Sequence, residues 1–315
     1  MLVASSVDQI KTPTAIALGN FDGIHQGHQT VLQPIINFPQ PQGQPRIHPS
    51  VVSFSPHPRE FFTGEKLQLL TPIAEKGQIL AQLGIEQLIL LPFDRRLSSL
   101  SPQEFVEFLV LQLKAKAISV GSDFCFGYQR KGTAEDLKNN AHSFGIKVHI
   151  NSLHRYFDGD PKAKREPNRS VRVSSSLIRQ ALSEGNISLA NTMLGRSYSL
   201  IGTVVTGQQL GRTIGFPTAN LQLPTEKFLP RYGVYSVNVF LQQTTVKGVM
   251  NIGCRPTVAG EAPTIEVHLL NWSGNLYGQT LKVDLIKFIR PEQKFASVEA
   301  LKQQITKDCR SVLNN

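Results

Sequence analysis

Ala15-Ile-Ala-Leu-Gly-Asn-Phe-Asp-Gly-Ile-His-Gln-Gly-His-Gln-Thr-Val-Leu32 is the stretch on which the N-terminal half of the chain turns. Residues 15–18 form an apolar run long enough for a buried strand. Gly19, Asn20, Asp22 and Gly23 then surround Phe21 in a tight turn that needs a permissive backbone. Beyond it, Val31, Leu32, Ile35 and Ile36 recur at helical spacing. A strand, a glycine-rich turn and a helix N-terminus together make a place where backbone N–H groups and the helix dipole hold an anion. His25 and His28, three residues apart on the first turn, share one face of that helix. Both can donate hydrogen bonds to a phosphate as charge develops on it.

Working outward, strands alternate with helices. Residues 51–54 read as a short strand closed by Ser55-Pro56-His57-Pro58-Arg59, where the prolines fix an extended turn. Residues 72–83 read as a helix and 87–91 as a strand. Ser101-Pro102 initiates a further helix, with Glu104 in its first turn. Residues 117–120 are another strand, running into the glycine-bounded loop Gly121-Ser-Asp-Phe-Cys-Phe-Gly127. This alternation predicts a doubly wound parallel sheet. A polar stretch follows, with Arg155, Lys162, Lys164, Arg165, Arg169 and Arg172 among acidic residues, and it reads as a solvated insertion. Ser174-Ser175-Ser176 then supplies a hydroxyl cap to a helix that carries Arg179 in its first turns, where a cation opposes the dipole.

After about residue 186 the pattern changes. Runs at 198–205, 234–241, 247–252, 264–270 and 281–288 are short and β-rich, with no helices between them, which predicts an antiparallel barrel. Residues 297–313 read as a terminal helix. The expected domains are therefore 1–186 and 187–315. Within the second, Gly207, Gly211, Arg212, Gly215, Phe216, Pro217, Thr218 and Asn220 form a dense motif. Glycines there let a flap close on phosphates. Thr218 and Asn220 are neutral oxygen donors of the kind Mg²⁺ takes alongside ATP. On the strand Thr264-Ile-Glu-Val-His-Leu-Leu270, Glu266 and His268 share a face, and Glu266 can take a proton from a hydroxyl.

The chain has 315 residues, 40% hydrophobic and 18% charged, enough for two packed cores. The formal net charge of +10 favours anionic ligands. Cys125, Cys254 and Cys309 form no metal or redox spacing, and a reducing cytoplasm is the expected compartment. No run approaches a membrane span and no signal-peptide layout is present, so no membrane role is expected.

The His-x-Gly-His string resembles the signature of the nucleotidyltransferase superfamily. The longer Gly-Asn-Phe-Asp-Gly-Ile-His-Gln-Gly-His string is similar to the N-terminal module of bacterial bifunctional riboflavin kinase/FAD synthetases. The Gly-Phe-Pro-Thr-Ala-Asn and Asn251-Ile-Gly-Cys-Arg-Pro-Thr257 strings, the Glu-x-His strand and Leu-Tyr-Gly (276–278) resemble riboflavin kinase. Asn271-Trp272 departs from that family's usual Asp-Phe. The resemblance implies phosphorylation of riboflavin to FMN in the barrel, with Glu266 as base. It then implies adenylylation of FMN by a second ATP to give FAD and pyrophosphate. It places Gly19, Asn20, Phe21, Asp22, Gly23, His25, His28, Asp123, Ser174, Ser175, Ser176 and Arg179 around that ATP, although some relatives carry Asn at position 123. It places Ser55, Pro56, His57, Pro58, Phe62 and Phe126 around the flavin. Implied ligands are ATP, riboflavin, FMN, FAD and Mg²⁺. Nucleic acid is not expected as a partner, and self-association is left open. A different adenylyltransferase, a lone riboflavin kinase or a flavin- or nucleic-acid-binding regulator are the competing readings.

Overall fold

The computed structural model describes residues 1–157, 170–207, 210–242, 244–257 and 260–314, without the side chains of 157, 210, 212, 255–257 and 260–262. Residues 158–169 of the charged stretch 155–172 therefore lie outside the described residues, as do the Arg212 side chain and residues 258–259. The chain divides into two compact units, Met1–Ser175 and Ser176–Asn315.

The first unit runs β1 (Leu2–Ala4), β2 (Thr14–Leu18), α1 (Gln26–Ile36), β3 (His48–Ser55), α2 (Pro58–Thr63), α3 (Ile73–Gln82), β4 (Gln87–Pro92), α4 (Arg95–Ser99), α5 (Pro102–Gln112) and β5 (Ala115–Gly121). The short β6 (Cys125–Phe126) and β7 (Gly132–Thr133) follow, then α6 (Ala134–His142), β8 (Lys147–Asn151), β9 (Arg155–Phe157) and β10 (Ser170–Arg172). Six strands form one sheet in the order β1-β4-β3-β2-β5-β8, and every pairing in it is parallel. This is the doubly wound sheet the alternation predicts. The Leu2–Ala4 edge strand is an addition that three residues could not announce.

Side-chain alternation along β2 decides what covers each face. Ala15 and Ala17 face Val31, Leu32 and Ile35 of α1, with Leu80 of α3 in the same cluster. Ile16 and Leu18 face the other way, toward Phe105, Val106 and Leu109 of α5 and Leu137 of α6. Small residues under α1 keep that helix close to the sheet. The start of α5 is set as its sequence requires: the Ser101 hydroxyl accepts from the Glu104 N–H at 3.3 Å, and the Glu104 carboxylate accepts from the Ser101 N–H at 2.8 Å. Strands β2 and β5 are neighbours whose connections leave in opposite directions, β2 to β3 and β5 to β8. The crevice beyond their C-terminal ends is where open α/β sheets bind ligands. The turn after β2 and the 121–127 loop after β5 flank it.

In the second unit, α7 (Ser175–Glu184, its first residue at the division) and α8 (Ile187–Leu194) precede β11 (Tyr198–Val205), α9 (Leu210–Thr213), β12 (Ala219–Gln222), β13 (Gly233–Leu241), β14 (Thr244–Thr257), β15 (Gly260–Leu269), β16 (Thr280–Arg290) and α10 (Val298–Leu313). The strands close a barrel in the order β11-β12-β15-β14-β13-β16, with every pairing antiparallel. Tyr235, Val237, Val239, Ile265, Val267, Val283 and Leu285 are buried at alternate positions. The Ala219–Gln222 strand is not among the runs the pattern predicts, because the preceding Phe-Pro-Thr masks a four-residue strand.

The terminal helix is held by charge as well as packing. Val312 lies against Val234, Val249 and Leu270. The Arg290 guanidinium donates to both oxygens of Asp308, from Nε at 3.3 and 3.1 Å and from Nη2 at 2.8 Å, and Gln304 Nε2 adds a 2.9 Å bond. The Asp308 and Arg290 side chains are only 4% and 17% exposed, so removing one leaves a desolvated charge behind. Asp308→Ala should lower barrel stability by about 3–5 kcal/mol. Urea unfolding followed by fluorescence of Trp272, the single tryptophan and a residue of this unit, measures it.

Candidate functional site

In the first unit the turn between β2 and α1 adopts backbone that side chains avoid. Phe21 and Ile24 have φ of 48° and 43°, and both are buried, at 1% and 0% exposure. A β-branched residue held there costs on the order of 1–3 kcal/mol, so neighbouring contacts must fix the turn. The segment just before α3 supplies them. The Asp22 carboxylate accepts from the N–H groups of Leu70 (3.1 Å) and Thr71 (3.0 Å), and the Thr71 hydroxyl accepts from the Gly23 N–H (2.9 Å). The Ser175 hydroxyl donates to the Asp22 carbonyl at 2.8 Å. The Asp22 carboxylate thus shapes the turn. The Asn20 Oδ1 is buried with no hydrogen-bond partner among the described residues.

His25 is the N-cap of α1, and its Nδ1 accepts from the His28 N–H at 3.2 Å. An accepting Nδ1 carries no proton, so the neutral ring keeps its proton on Nε2 as a donor. The His25 and His28 rings stack at 3.6 Å between centroids and 15° between planes, and Phe21 abuts His28 at 5.2 Å. Burial pushes the His25 pKa down to about 4, and Arg172 and His154 add to the shift while Asp22 opposes it. Two stacked imidazoles at a helix N-terminus therefore offer ring N–H donors to an anion, that of His25 neutral, assisted by the first-turn amides.

Around this pair the chain brings Arg172 and His154. Arg172, at the end of β10, pairs with Asp123 in the loop after β5, and His154 Nε2 lies 3.0 Å from Gln26 Oε1. Sequence reading assigned Arg172 to a solvated insertion and passed over His154. Their placement depends on the β9–β10 hairpin, whose register (Ser170 to Phe157, Arg172 to Arg155) no local pattern reveals. Ser176 and Arg179 belong to the second unit, where the Arg179 guanidinium lies 5.7 Å over the Phe228 ring.

The residues expected at the flavin divide in two. His57 caps α2, its Nδ1 accepting from the Arg59 N–H at 3.0 Å and its own N–H donating to Glu60. Ser55 closes β3 and Pro58 opens α2, with Pro56 between them. Phe62 is 70% exposed and meets Phe61 and Phe93 edge-on at 5.2 and 5.8 Å. Phe126, by contrast, is 6% exposed and packs on Phe105 (5.4 Å) and Phe124 (5.8 Å). Its ring belongs to the hydrophobic cluster that includes Phe105 and Leu137.

In the barrel, β12 and β15 bring the second motif together. Asn220 is the direct cross-strand partner of Glu266, and Asn251 of β14 faces Glu266 from the other side. The Thr218 hydroxyl lies 3.5 Å from the Glu266 carboxylate. Neighbouring Ile265 and Val267 point into the barrel, leaving Glu266 and His268 on the outer face. His268 donates from Nδ1 to the Pro217 carbonyl at 2.8 Å, with Phe216 edge-on at 5.6 Å, which pins the Phe216-Pro217-Thr218 segment. A Cβ on Gly207 would collide with the Asn220 carboxamide, so glycine lets the loop after β11 lie directly on it. Hydroxyl, carboxamide and carboxylate oxygens side by side suit a hard divalent cation shared with phosphates.

An FAD synthetase family model matches residues 7–160, and a riboflavin kinase family model matches residues 194–315. The bifunctional riboflavin kinase/FMN adenylyltransferase of Escherichia coli (strain K12) is 41% identical over 297 residues, covering 93% of this chain and 90% of that protein. Its counterpart in Bacillus subtilis (strain 168) is 34% identical over 307 residues, covering 96% and 92%. This chain belongs to the bifunctional riboflavin kinase/FMN adenylyltransferase family. The family resemblance seen in the motifs is borne out over both units. A crystal structure described as a macrolide-efflux protein from Streptococcus pneumoniae matches with a TM-score of 0.84 at 33% identity, covering 100% of this chain and 99% of that one. Among the described residues here, no helix is long and apolar enough to cross a membrane.

The depressed His25 pKa has a measurable consequence. Folded His25 stays neutral down to pH about 4, whereas the unfolded residue protonates near pH 6.5. The unfolded chain therefore takes up the proton first, and stability present above pH 6.5 is lost as pH falls toward 4. The loss at this residue should be about 3 kcal/mol. Thermal melts of His25→Asn, which retains a capping side chain, should be flatter over that interval than those of the wild type.

Proposed function

We propose that the chain makes flavin cofactors in two steps. Riboflavin is phosphorylated by ATP to FMN in the barrel, and FMN is then adenylylated by a second ATP to FAD, with release of pyrophosphate. The adenylyltransferase function is assigned to residues 1–186 and the kinase function to 187–315. That boundary falls in the interval 161–193, which neither family model spans. The observation that carries the reading is the pair of juxtapositions in one chain: the stacked His25–His28 pair at a helix N-terminus, and Thr218, Asn220 and Glu266 on one patch of the barrel.

In the kinase step, Glu266 takes the proton of the ribityl 5′-hydroxyl as its oxygen attacks the ATP γ-phosphorus and ADP leaves. Gly207, Gly211 and Gly215 let the loop after β11 close on the phosphates, while Arg212 adds positive charge. Phe216 and Pro217, held by His268, keep Thr218 beside the base. Thr218 and Asn220 are the residues that would hold Mg²⁺, which when bound neutralises phosphate charge. Positioning and charge neutralisation account for most of such a reaction.

In the adenylyl step, a phosphate oxygen of FMN attacks the ATP α-phosphorus and pyrophosphate leaves, with no covalent intermediate on the protein. His25 Nε2–H and His28 donate to the α-phosphate oxygens as charge builds. Gly19, Asn20, Phe21 and Gly23 supply the turn that cradles the phosphates, with Asp22 and Ser175 holding its shape. Ser174 ends the segment that carries Arg172. Arg172 and Asp123 sit at the switch-point crevice, where the arginine is available to the triphosphate. Ser55, Pro56, His57 and Pro58 form the flavin-side loop, and the exposed Phe62 ring stacks on the isoalloxazine. These substrates are small anions or neutral flavins, in keeping with a net charge of +10. The three cysteines, none of them disulfide-bonded, suit a reducing cytoplasm.

Chromatography of riboflavin, ATP and Mg²⁺ incubated with the full chain tests the reading. FMN should appear first and convert to FAD. Glu266→Gln should lower FMN formation on the order of 10²–10⁴-fold while FMN supplied directly is still converted to FAD. His28→Ala should lower FAD formation on the order of 10²–10³-fold and leave FMN formation intact. Absence of both products from the wild type sinks the reading.

A further inference from the structure

Lys76 lies in the first turn of α3 with 6% of its surface exposed, and its Nζ donates to the Asn20 carbonyl at 2.7 Å. Two physical terms act against a cation in that position. Burial disfavours an ammonium by several kcal/mol in effective terms. The positive end of the α3 dipole disfavours a cation in the first turn. The Asp22 carboxylate, which favours the charge, already accepts from the Leu70 and Thr71 amides.

A hydrogen bond to one carbonyl does not require any of this. Ser53, 2% exposed, already places its hydroxyl 3.4 Å from the same oxygen. What the ammonium adds is charge, delivered to the inner side of a strained turn whose outer side begins the phosphate cradle. Asn20 precedes Phe21 and Ile24, the two non-glycine residues of this turn at positive φ. A donor gripping the Asn20 carbonyl turns that peptide's oxygen inward, and in a trans peptide the Phe21 N–H then points outward. An anion arriving at that amide gains from a positive charge buried just behind it, where the dielectric is low.

We propose that Lys76 is a positioning residue for adenylyl transfer, fixing the Asn20 carbonyl and setting a buried positive charge behind the phosphate turn. This deepens the adenylyltransferase reading above and rests on it. The contact is with the turn and not with the nucleotide, so the effect belongs mainly to the transition state, where α-phosphate charge is greatest.

The test uses the full chain carrying Lys76→Met, close in length but neutral, and Lys76→Gln, which keeps an amide donor without the charge. FMN and ATP are supplied for the adenylyl step, and riboflavin and ATP for the barrel reaction. The expected result for both variants is a fall in adenylyl kcat on the order of 10²-fold, with the ATP KM changed by less than about threefold. FMN formation should stay within about twofold of wild type, and circular dichroism should show both variants folded at the assay temperature. Wild-type adenylyl kcat in either folded variant overturns the proposal, as does a rise in ATP KM with kcat intact. If Lys76→Met does not fold, Lys76→Gln decides. A wild-type chain that makes FMN but no FAD would instead overturn the adenylyltransferase reading, a separate outcome.

Discussion

Asp22 accepting the Leu70 and Thr71 amides is the constraint on which the first unit's chemistry depends. The turn after β2 contains two bulky residues at positive φ, and a chain of that composition would not hold the shape alone. The carboxylate ties it to the segment before α3, forty-eight and forty-nine residues on in sequence. Once fixed, the turn delivers His25 to the N-cap of α1, and the cap bond from the His28 amide brings the rings into a stack. The order of cause therefore runs from a buried carboxylate to backbone strain, to a helix start, to two aligned donors. Loss of Asp22 would disturb the site through geometry.

The barrel solves its positioning problem by other means. Its side chains are placed by strand register, which alternates faces and sets direct cross-strand neighbours. Asn220, Glu266 and Asn251 are adjacent because β12, β15 and β14 pair in that register, and a slip of one residue would turn Glu266 into the apolar interior. The Ile265 and Val267 side chains resist that slip, since it would expose them. The catalytic proposal for Glu266 is thus tied to packing on the opposite face of the same strand.

The fold was legible where local pattern and tertiary role coincide. The apolar run 15–18, the Ser101-Pro102 start and the 297–313 periodicity each state their element directly. The site was legible where a motif is contiguous, as in residues 19–28 and 215–220. It was not legible where pairing across distance decides. Arg172 looks like one cation among many until the β9–β10 register sets it against Asp123. Residues 72–83 read as a helix, but nothing in that pattern marks Lys76 as buried against the Asn20 carbonyl.

Keeping His25 neutral is consistent with binding a highly charged substrate. A protonated imidazole would attract ATP and pyrophosphate alike, and strong binding of a product slows release. A neutral donor distinguishes states by how much negative charge sits on the atom it faces, and that charge is greatest during transfer at the α-phosphate. The cap bond from His28 makes the choice structural, because protonating Nδ1 would break it. Permanent cations such as Arg172 can then supply attraction at the crevice, while the histidine pair contributes direction. Attraction and discrimination are assigned to different residues, and burial of His25 is what keeps them separate.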